Sequence, residues 1–309
     1  MIENSFLQNL INKPDVISKL KFEEISDILA KAKEIFEKEN RLLEFETSKP
    51  DDEIYVLGDI HGNLQTLMKL IEIINENKPK LVISLGDIVD RGFKQLECLI
   101  IILALKILNP ESFFILRGNH ETLEMNQAYG FFHEFLQKFK DFNKFSEILA
   151  VYNMLPICAI INNSILCLHG GIPEDIDILK KLRGLKLKDI DNSVSKSIYE
   201  GVFQIMWNDP KSGLRSDPES MLQGFKESFR GSGIKIFGED VFDKFMKANN
   251  LSYLIRAHEC FPEGYRWFFN NRLLSIFSAA NYRGQLSPNP ASYAIVKDNK
   301  VIPITLELS

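Results

Sequence analysis

The chain has 309 residues, with 37 Lys+Arg against 42 Asp+Glu and a net charge of −5. That is about twice the common ~150-residue domain, enough to bury a core without disulfides or a partner; 45% hydrophobic and 26% charged residues exclude disordered and fibrous classes. The mildly acidic balance excludes a non-specific nucleic-acid binder, which needs a basic face.

Residues 1–50 read as a helical segment packed on the core, because Phe22, Ile25, Leu29, Ala32 and Phe36 recur at helical spacing. The stretch TSKPDDE at 47–53 breaks the pattern, and residues 51–309 form the main body of a single domain. Short apolar runs with strand character lie at 54–57, 81–85, 113–116, 157–161 and 165–168. Helical stretches at 64–77, 94–108 and 121–145 separate several of them, which signals an α/β layer fold. A helix at 239–250 and a strand at 253–255 follow. Two hairpins come last, 265–269 with 273–277 around Asn270-Asn271, and 292–296 with 301–305 around Asp298-Asn299. Asn and Asp tolerate the positive φ of tight hairpin turns. The pattern predicts a central β-sandwich flanked by helices, with a mixed sheet faced by an antiparallel one.

No membrane span is expected, since the longest apolar stretch, 98–105, ends at Lys106 and a span needs about 18–20 such residues. The first ten residues lack the basic-then-apolar pattern of a secretory signal. Cys98, Cys158, Cys167 and Cys260 sit in apolar runs without C-x-x-C spacing, as buried free thiols of a reducing, cytoplasmic compartment would.

Four of the five histidines closely follow an apolar run: His61, His120, His169 and His258. His133 lies in a helical stretch without polar company and reads as a surface residue. The strand-end segments are GDIHGN (58–63), GDIVDRG (86–92), RGNHE (117–121), HGG (169–171) and RAH (256–258). Each is an apolar strand, then a small residue or a turn, then ligand-type side chains. Carboxyl ends of adjacent strands converge at one sheet edge, where open α/β sheets place their sites. Asp59 and His61 are two apart, so they share one side of an extended segment and can chelate one metal. Asp87, Asn119, His169 and His258 can supply a second site. Mixed Asp/His/Asn ligation suits Mn, Fe or Zn better than Ca. A shared carboxylate would set two ions ~3.5–4 Å apart, the geometry for in-line displacement at phosphorus. Arg91 would clamp an anion, because guanidinium matches phosphate oxygens in a fork.

In this order, GDIHGN, GDIVDRG, RGNHE, LHGG, RAH and SAANY resemble the metal-dependent phosphoprotein phosphatase family, with support from LPICAI, MWNDP, RGSGIKIFG and EGYRWF between them. The likeness runs from about residue 20 to 306. It implies a calcineurin-like metallophosphoesterase fold with a dimetal site at strand carboxyl ends, and a catalytic domain over 51–309. It implies Asp59 and His61 on the first metal, Asp87 bridging, and Asn119, His169 and His258 on the second. A hydroxide bridging the ions would attack phosphorus in line, with no phosphoenzyme. Arg91 and Arg230 would bind the phosphate, with Asn119 beside it. His120 would protonate the serine or threonine oxygen, oriented and held charged by Asp90. Tyr129, Asp209 and Tyr282 match cleft positions. Arg117 and Glu121 read as a buried ion pair shaping their loop. The implied cofactors are two metal ions, Mn in vitro with Fe or Zn as alternatives; the implied partners are a phosphoprotein substrate and separate regulatory subunits.

Departures from the family pattern cluster late in the chain. Ala280 replaces a usual Pro, Arg283 a Cys that natural toxins alkylate, and Gln285 a usual acid, so covalent toxin capture at 283 is not expected. Residues 211–229, ahead of Arg230, are longer than their counterpart and poorly matched. The chain stops at LELS, soon after the final strand, as a bare catalytic core would. Abundant Lys, Asn and Ile fit an AT-rich genome, a protist's or that of a bacterium whose effector acts in a host cytosol. Rival readings are a dinucleoside tetraphosphatase, a broad-specificity metallophosphatase that also takes phosphotyrosine, and an inactive scaffold. The scaffold would be expected to have lost a ligand, and all six candidate ligands are present.

Overall fold

The computed structural model describes residues 2–49, 51–185, 196–212, 223–284, 286–306 and 308. In chain order its strands are β1 (Leu42–Phe45), β2 (Ile54–Leu57), β3 (Leu81–Ser84), β4 (Phe113–Ile115), β5 (Cys158–Ile161), β6 (Ile165–Leu168) and β7 (Asp209–Pro210). They continue with β8 (Phe225–Glu227), β9 (Lys235–Phe237), β10 (Tyr253–Arg256), β11 (Tyr265–Phe268), β12 (Leu273–Ile276), β13 (Ala291–Lys297) and β14 (Lys300–Leu306). A six-stranded sheet of order β1-β5-β6-β10-β12-β11 faces a five-stranded sheet of order β14-β13-β2-β3-β4.

Period-2 alternation explains the layers. Ile54 and Val56 of β2, with Leu81 and Ile83 of β3, share one buried cluster with Ala159, Ile161, Ile165, Cys167, Leu274 and Ile276 of the other sheet. Tyr55, Leu57 and Val82 point the opposite way, into a cluster with the helices outside. Cys158, Ile160, Leu166 and Leu168 do the same on the far face of the six-stranded sheet. Strands buried on both faces need apolar residues at every position, which is why β2, β3, β5 and β6 read as continuous runs.

The helix Leu64–Asn77 begins where the Asn63 side chain accepts the Thr66 N–H and stops at left-handed Lys78, before Pro79. The helix Gln95–Leu108 is buried on nearly every side, as its all-round apolar sequence requires. Leu7, Leu10, Ile25 and Leu29 of the amino-terminal helices pack into the same cluster as its Leu99 and Ile102.

Several expectations change in detail. Both large sheets are mixed, rather than one mixed and one antiparallel, because the hairpin β13–β14 joins antiparallel to β2 while β2, β3 and β4 run parallel. The other hairpin, β11–β12, extends the opposite sheet. Both turn pairs do adopt positive φ, Asn270-Asn271 and Asp298-Asn299 alike. The helical stretch 121–145 breaks at Gly130 (φ 121°) into Leu123–Tyr129 and Phe131–Phe139. The first 50 residues also hold β1, which pairs parallel with β5, so the helical segment ends before it. A small sheet of β7, β9 and β8 was not anticipated. Gln285 and residues 213–222 of the poorly matched segment lie outside the described residues.

Candidate active site

The loops after β2, β3 and β4 are stitched together by backbone hydrogen bonds. Ile60 and His61 N–H both donate to Asp87 O (3.0 and 2.9 Å), and Gly62 N–H donates to Ile88 O (2.8 Å). The loops after β6 and β10 join through Ala257 N–H to His169 O (2.9 Å). The two sets meet where His258 N–H donates to Asp59 Oδ1 (2.9 Å). His61, Asp87, Asp90, Arg91 and His258 all take positive φ. Such conformations cost about 1 kcal/mol or more each in non-glycine residues, and they concentrate at functional sites. Asp59 and His61 therefore converge through a turn after β2, not through the pleat of an extended strand.

Gly86 (φ 98°) lets the second and third loops touch, since a Cβ there would lie 2.2 Å from Gly118 N. Gly86→Ala is expected to cost about 2–3 kcal/mol of stability in urea unfolding. A loss below about 0.5 kcal/mol would show that the loops separate freely.

Arg117 and Glu121 come together, but not as the expected ion pair. The Glu121 carboxylate accepts the N–H groups of Asp87 (2.9 Å), Ile88 (3.0 Å) and Gly118 (2.8 Å). Arg117 donates to the Glu121 backbone carbonyl instead (3.3 and 3.1 Å). The carboxylate thus fixes the loop that carries Asp87.

The histidine tautomers follow from backbone carbonyls, which only accept. His61 Nδ1 faces Val89 O and His169 Nδ1 faces Leu85 O, both at 2.9 Å, so each Nδ1 carries the hydrogen. Each neutral ring then presents a bare Nε2 lone pair. His61 Nε2 points at Asp59 Oδ2 (3.4 Å) and Asp87 Oδ2 (3.6 Å). His169 Nε2 points at Asn119 Oδ1 (2.9 Å), His258 Nδ1 (3.2 Å) and Asp87 Oδ2 (3.3 Å). Lone pairs and carboxylate oxygens crowded together in a buried site repel unless a cation sits among them. Among the described residues Asp59 Oδ2 finds no hydrogen-bond partner despite full burial. The donor set therefore fits metal ions, and Asp87 Oδ2 is the atom common to both groups.

Without a cation, a proton takes its place at His61: burial opposes charge on the ring, but Asp59 and Asp87 outweigh it and raise its pKa to about 9, so proton and metal ion compete for the same Nε2. Burial also opposes the Asp87 anion, yet His169 and His120 hold its pKa well below the usual carboxylate range. His258 is kept neutral by burial and by the Arg230 charge, which leaves its nitrogen free to ligate.

His120 is set apart by its partner. Its Nδ1 lies 2.6 Å from Asp90 Oδ2, while its Nε2 faces the cluster 3.9 Å from Asp87 Oδ2. His120, His61 and Asp87 are close enough to hold a cation on distance alone. The Asp90 contact instead gives His120 the arrangement of a proton carrier. Asp90 Oδ2 also accepts from Asn126 Nδ2 (2.9 Å), and its Oδ1 from Phe131 N–H (3.0 Å). Gln95 Oε1 accepts the Asp90 N–H (2.8 Å), and Gln95 Nε2 donates to Glu134 Oε2 (2.8 Å).

The anion-binding candidates surround this centre. The Arg91 guanidinium lies 3.7 Å from the centre of the Tyr129 ring, and that ring neighbours His120 at 5.2 Å. The Tyr282 ring stacks on His61 at 4.9 Å. Arg230 Nε donates to Asp209 Oδ2 (2.6 Å), and Arg256 donates to Asp209 Oδ1 (2.9 Å). Asp209, expected to line the cleft, is thus engaged on both oxygens by arginines. His133 is exposed and outside the site.

Asn126, Gln95, Glu134 and Arg256 escaped the sequence reading. Arg256 did leave a signal: one cation inside the apolar run YLIRA implies a buried counter-charge, here supplied by Asp209 and Glu259. Asn126, Gln95 and Glu134 look like ordinary helix residues.

Residues 53–262 match the sequence profile of the calcineurin-like phosphoesterases. The whole chain superposes on a protein serine/threonine phosphatase from Saccharomyces cerevisiae with similarity to human phosphatase PP5. That match has 28% identity and a TM-score of 0.82, and it covers 97% of that chain. A cold-active protein-tyrosine phosphatase of a psychrophilic Shewanella is similar over 89% of this chain and 84% of its own, at 17% identity and a TM-score of 0.57, which speaks to the fold alone. The first two findings bear out the resemblance to the phosphoprotein phosphatases, and the chain belongs to the calcineurin-like phosphoesterase family of metal-dependent hydrolases.

Proposed function

We propose that the chain is a protein phosphatase that hydrolyses phosphoserine and phosphothreonine monoesters. The observation that carries this reading is Asp87 Oδ2 shared between two groups of metal-ligand atoms, beside a His120–Asp90 pair and two arginines. Asp59, His61 and Asp87 would hold one ion, and Asp87, Asn119, His169 and His258 would hold the other. Bound ions supply Lewis acidity at the phosphoryl oxygens and make water more acidic. Manganese is the ion of choice in vitro, with iron or zinc as alternatives.

The chain's own groups do the rest. Arg91 and Arg230 bind phosphate oxygens and offset the charge that develops on them. Tyr129 fixes the plane of the Arg91 guanidinium, and Asp209 fixes Arg230. Asn119, whose Oδ1 lies 2.9 Å from His169 Nε2, would stand beside the phosphate. His120 Nε2 hands a proton to the departing serine or threonine oxygen, while Asp90 holds the ring in place through Nδ1. Tyr282 covers His61 and limits water access. Buried, free Cys98, Cys158 and Cys167 support a reducing, cytoplasmic setting. Among the described residues no helix is long and apolar enough to cross a membrane. One apolar cluster shared by the amino-terminal helices and the five-stranded sheet supports a single folding unit. Regulatory subunits would supply whatever control the core lacks.

The test is phosphate release, with manganese, from a phosphothreonine peptide, the matching phosphotyrosine peptide and diadenosine tetraphosphate. Hydrolysis of the phosphothreonine peptide at least tenfold faster than the other two is expected. Preference for the dinucleotide would move the function to nucleotide hydrolysis, and preference for phosphotyrosine would overturn the substrate class.

A further inference from the structure

A cavity of about 370 Å³ opens beside the metal-ligand cluster, and His258 and Tyr282 line both. Its other walls include Arg230, Arg266, Arg283 and Phe261. The Arg266 guanidinium lies 4.1 Å from the centre of the Phe261 ring, and its Nε donates to Glu263 (2.6 Å). Arg283 is exposed and donates to the Cys260 backbone carbonyl (3.4 Å), with no ion pair among the described residues. Glu259, the acid in the wall, is turned to the buried Arg256 (2.8 Å). Three arginines here, Arg230, Arg256 and Arg266, pair with three carboxylates, Asp209, Glu259 and Glu263, and Arg283 is the fourth arginine. One positive charge is left unmatched, in a chain whose net charge is −5.

We propose that this cavity is a second anion subsite, which takes a carboxylate or phosphate within two residues of the scissile phosphate in an extended peptide. The proposal rests on the phosphatase reading above. Arg230 lines the cavity, and its charge also acts on His258 of the metal-ligand cluster. Phe261 and Tyr282 give the flanking residue an apolar floor, and Arg266, fixed over Phe261, presents its charge in a set orientation. A guanidinium fork matches either anion. An acidic or doubly phosphorylated stretch then gains electrostatic complementarity that a basic stretch lacks.

The experiment compares kcat/KM on phosphothreonine peptides that differ at one flanking residue: Asp, phosphoserine, Ala or Lys. Wild type is expected to prefer Asp and phosphoserine over Lys by about three- to tenfold, the range of a few partly exposed charge pairs. The double variant Arg266→Glu with Arg283→Glu is expected to reverse that order. Its turnover of p-nitrophenyl phosphate, which carries no flanking residue to place in the cavity, should stay within about twofold. A gain with phosphoserine alone would assign the subsite to phosphate, and equal gains with Asp would assign it to any anion. An unchanged ranking in the variant, with p-nitrophenyl phosphate turnover intact, would overturn the subsite. Anisotropy binding of non-hydrolysable phosphonate versions to the manganese-loaded protein reads the ranking without turnover. Equal affinities there for Asp and Lys peptides would overturn the subsite whether or not the phosphatase reading stands, whereas loss of turnover on every substrate would overturn that reading alone.

Discussion

Asp87→Asn is expected to lower kcat on a phosphothreonine peptide by at least about a hundredfold to a thousandfold. Asp87 Oδ2 lies 3.6 Å from His61 Nε2 and 3.3 Å from His169 Nε2, and its Oδ1 accepts the His120 N–H at 2.9 Å. Asp87 thus touches both ligand groups and the proton-carrier loop. The amide keeps the shape but loses the negative charge, and it can turn a donor toward positions that need a lone pair. Both cation groups are weakened by one substitution. The check is steady-state kinetics across a manganese titration. Wild-type kcat at saturating manganese would contradict the bridging role.

His120→Asn is expected to lower kcat by about a hundredfold to ten-thousandfold on phosphoserine peptides, the usual worth of a positioned general acid. The loss should be smaller on p-nitrophenyl phosphate, whose leaving group is stable as an anion and needs little help from a proton. Metal content should stay at the wild-type level, because His120 Nδ1 is committed to Asp90. His120 also lies close enough to His61 and Asp87 to share a cation with them, and in that role it would behave differently. Equal losses on both substrates, together with lost metal, would make His120 a ligand. Asp90→Asn should act in the same direction through the orientation of the ring.

Much of this site was legible in the sequence because each functional loop follows a strand buried on both faces. A continuous apolar run ending in Gly-Asp or Asn-His marks both the strand and the change of chemistry at its end. Asp59, His61, Asp87, Asn119, His169 and His258 were placed together on that basis, and the structure brings their ligand atoms into two adjoining groups. The hairpin turns at 270–271 and 298–299 were legible for a local reason, the tolerance of Asn and Asp for positive φ. Pairing partners were not legible. Which sheet the hairpin β13–β14 joins depends on contacts more than 200 residues apart, such as Ala294 with Val56, and no local pattern encodes them. The same limit hid the Glu134–Gln95–Asp90 chain, whose members belong to separate helices and loops. It also misassigned Arg117 and Glu121: opposite charges four residues apart suggested an ion pair, but the buried carboxylate is needed by three backbone N–H groups. Unsatisfied buried N–H groups are costly enough to claim it.

The most direct test of the paired cation sites is the manganese content of the metal-loaded chain by plasma mass spectrometry, for wild type and His258→Asn. The account predicts about two ions per chain in wild type and about one in the variant, since His258 belongs to one group only. One ion or none in wild type, or two retained in the variant, would contradict it.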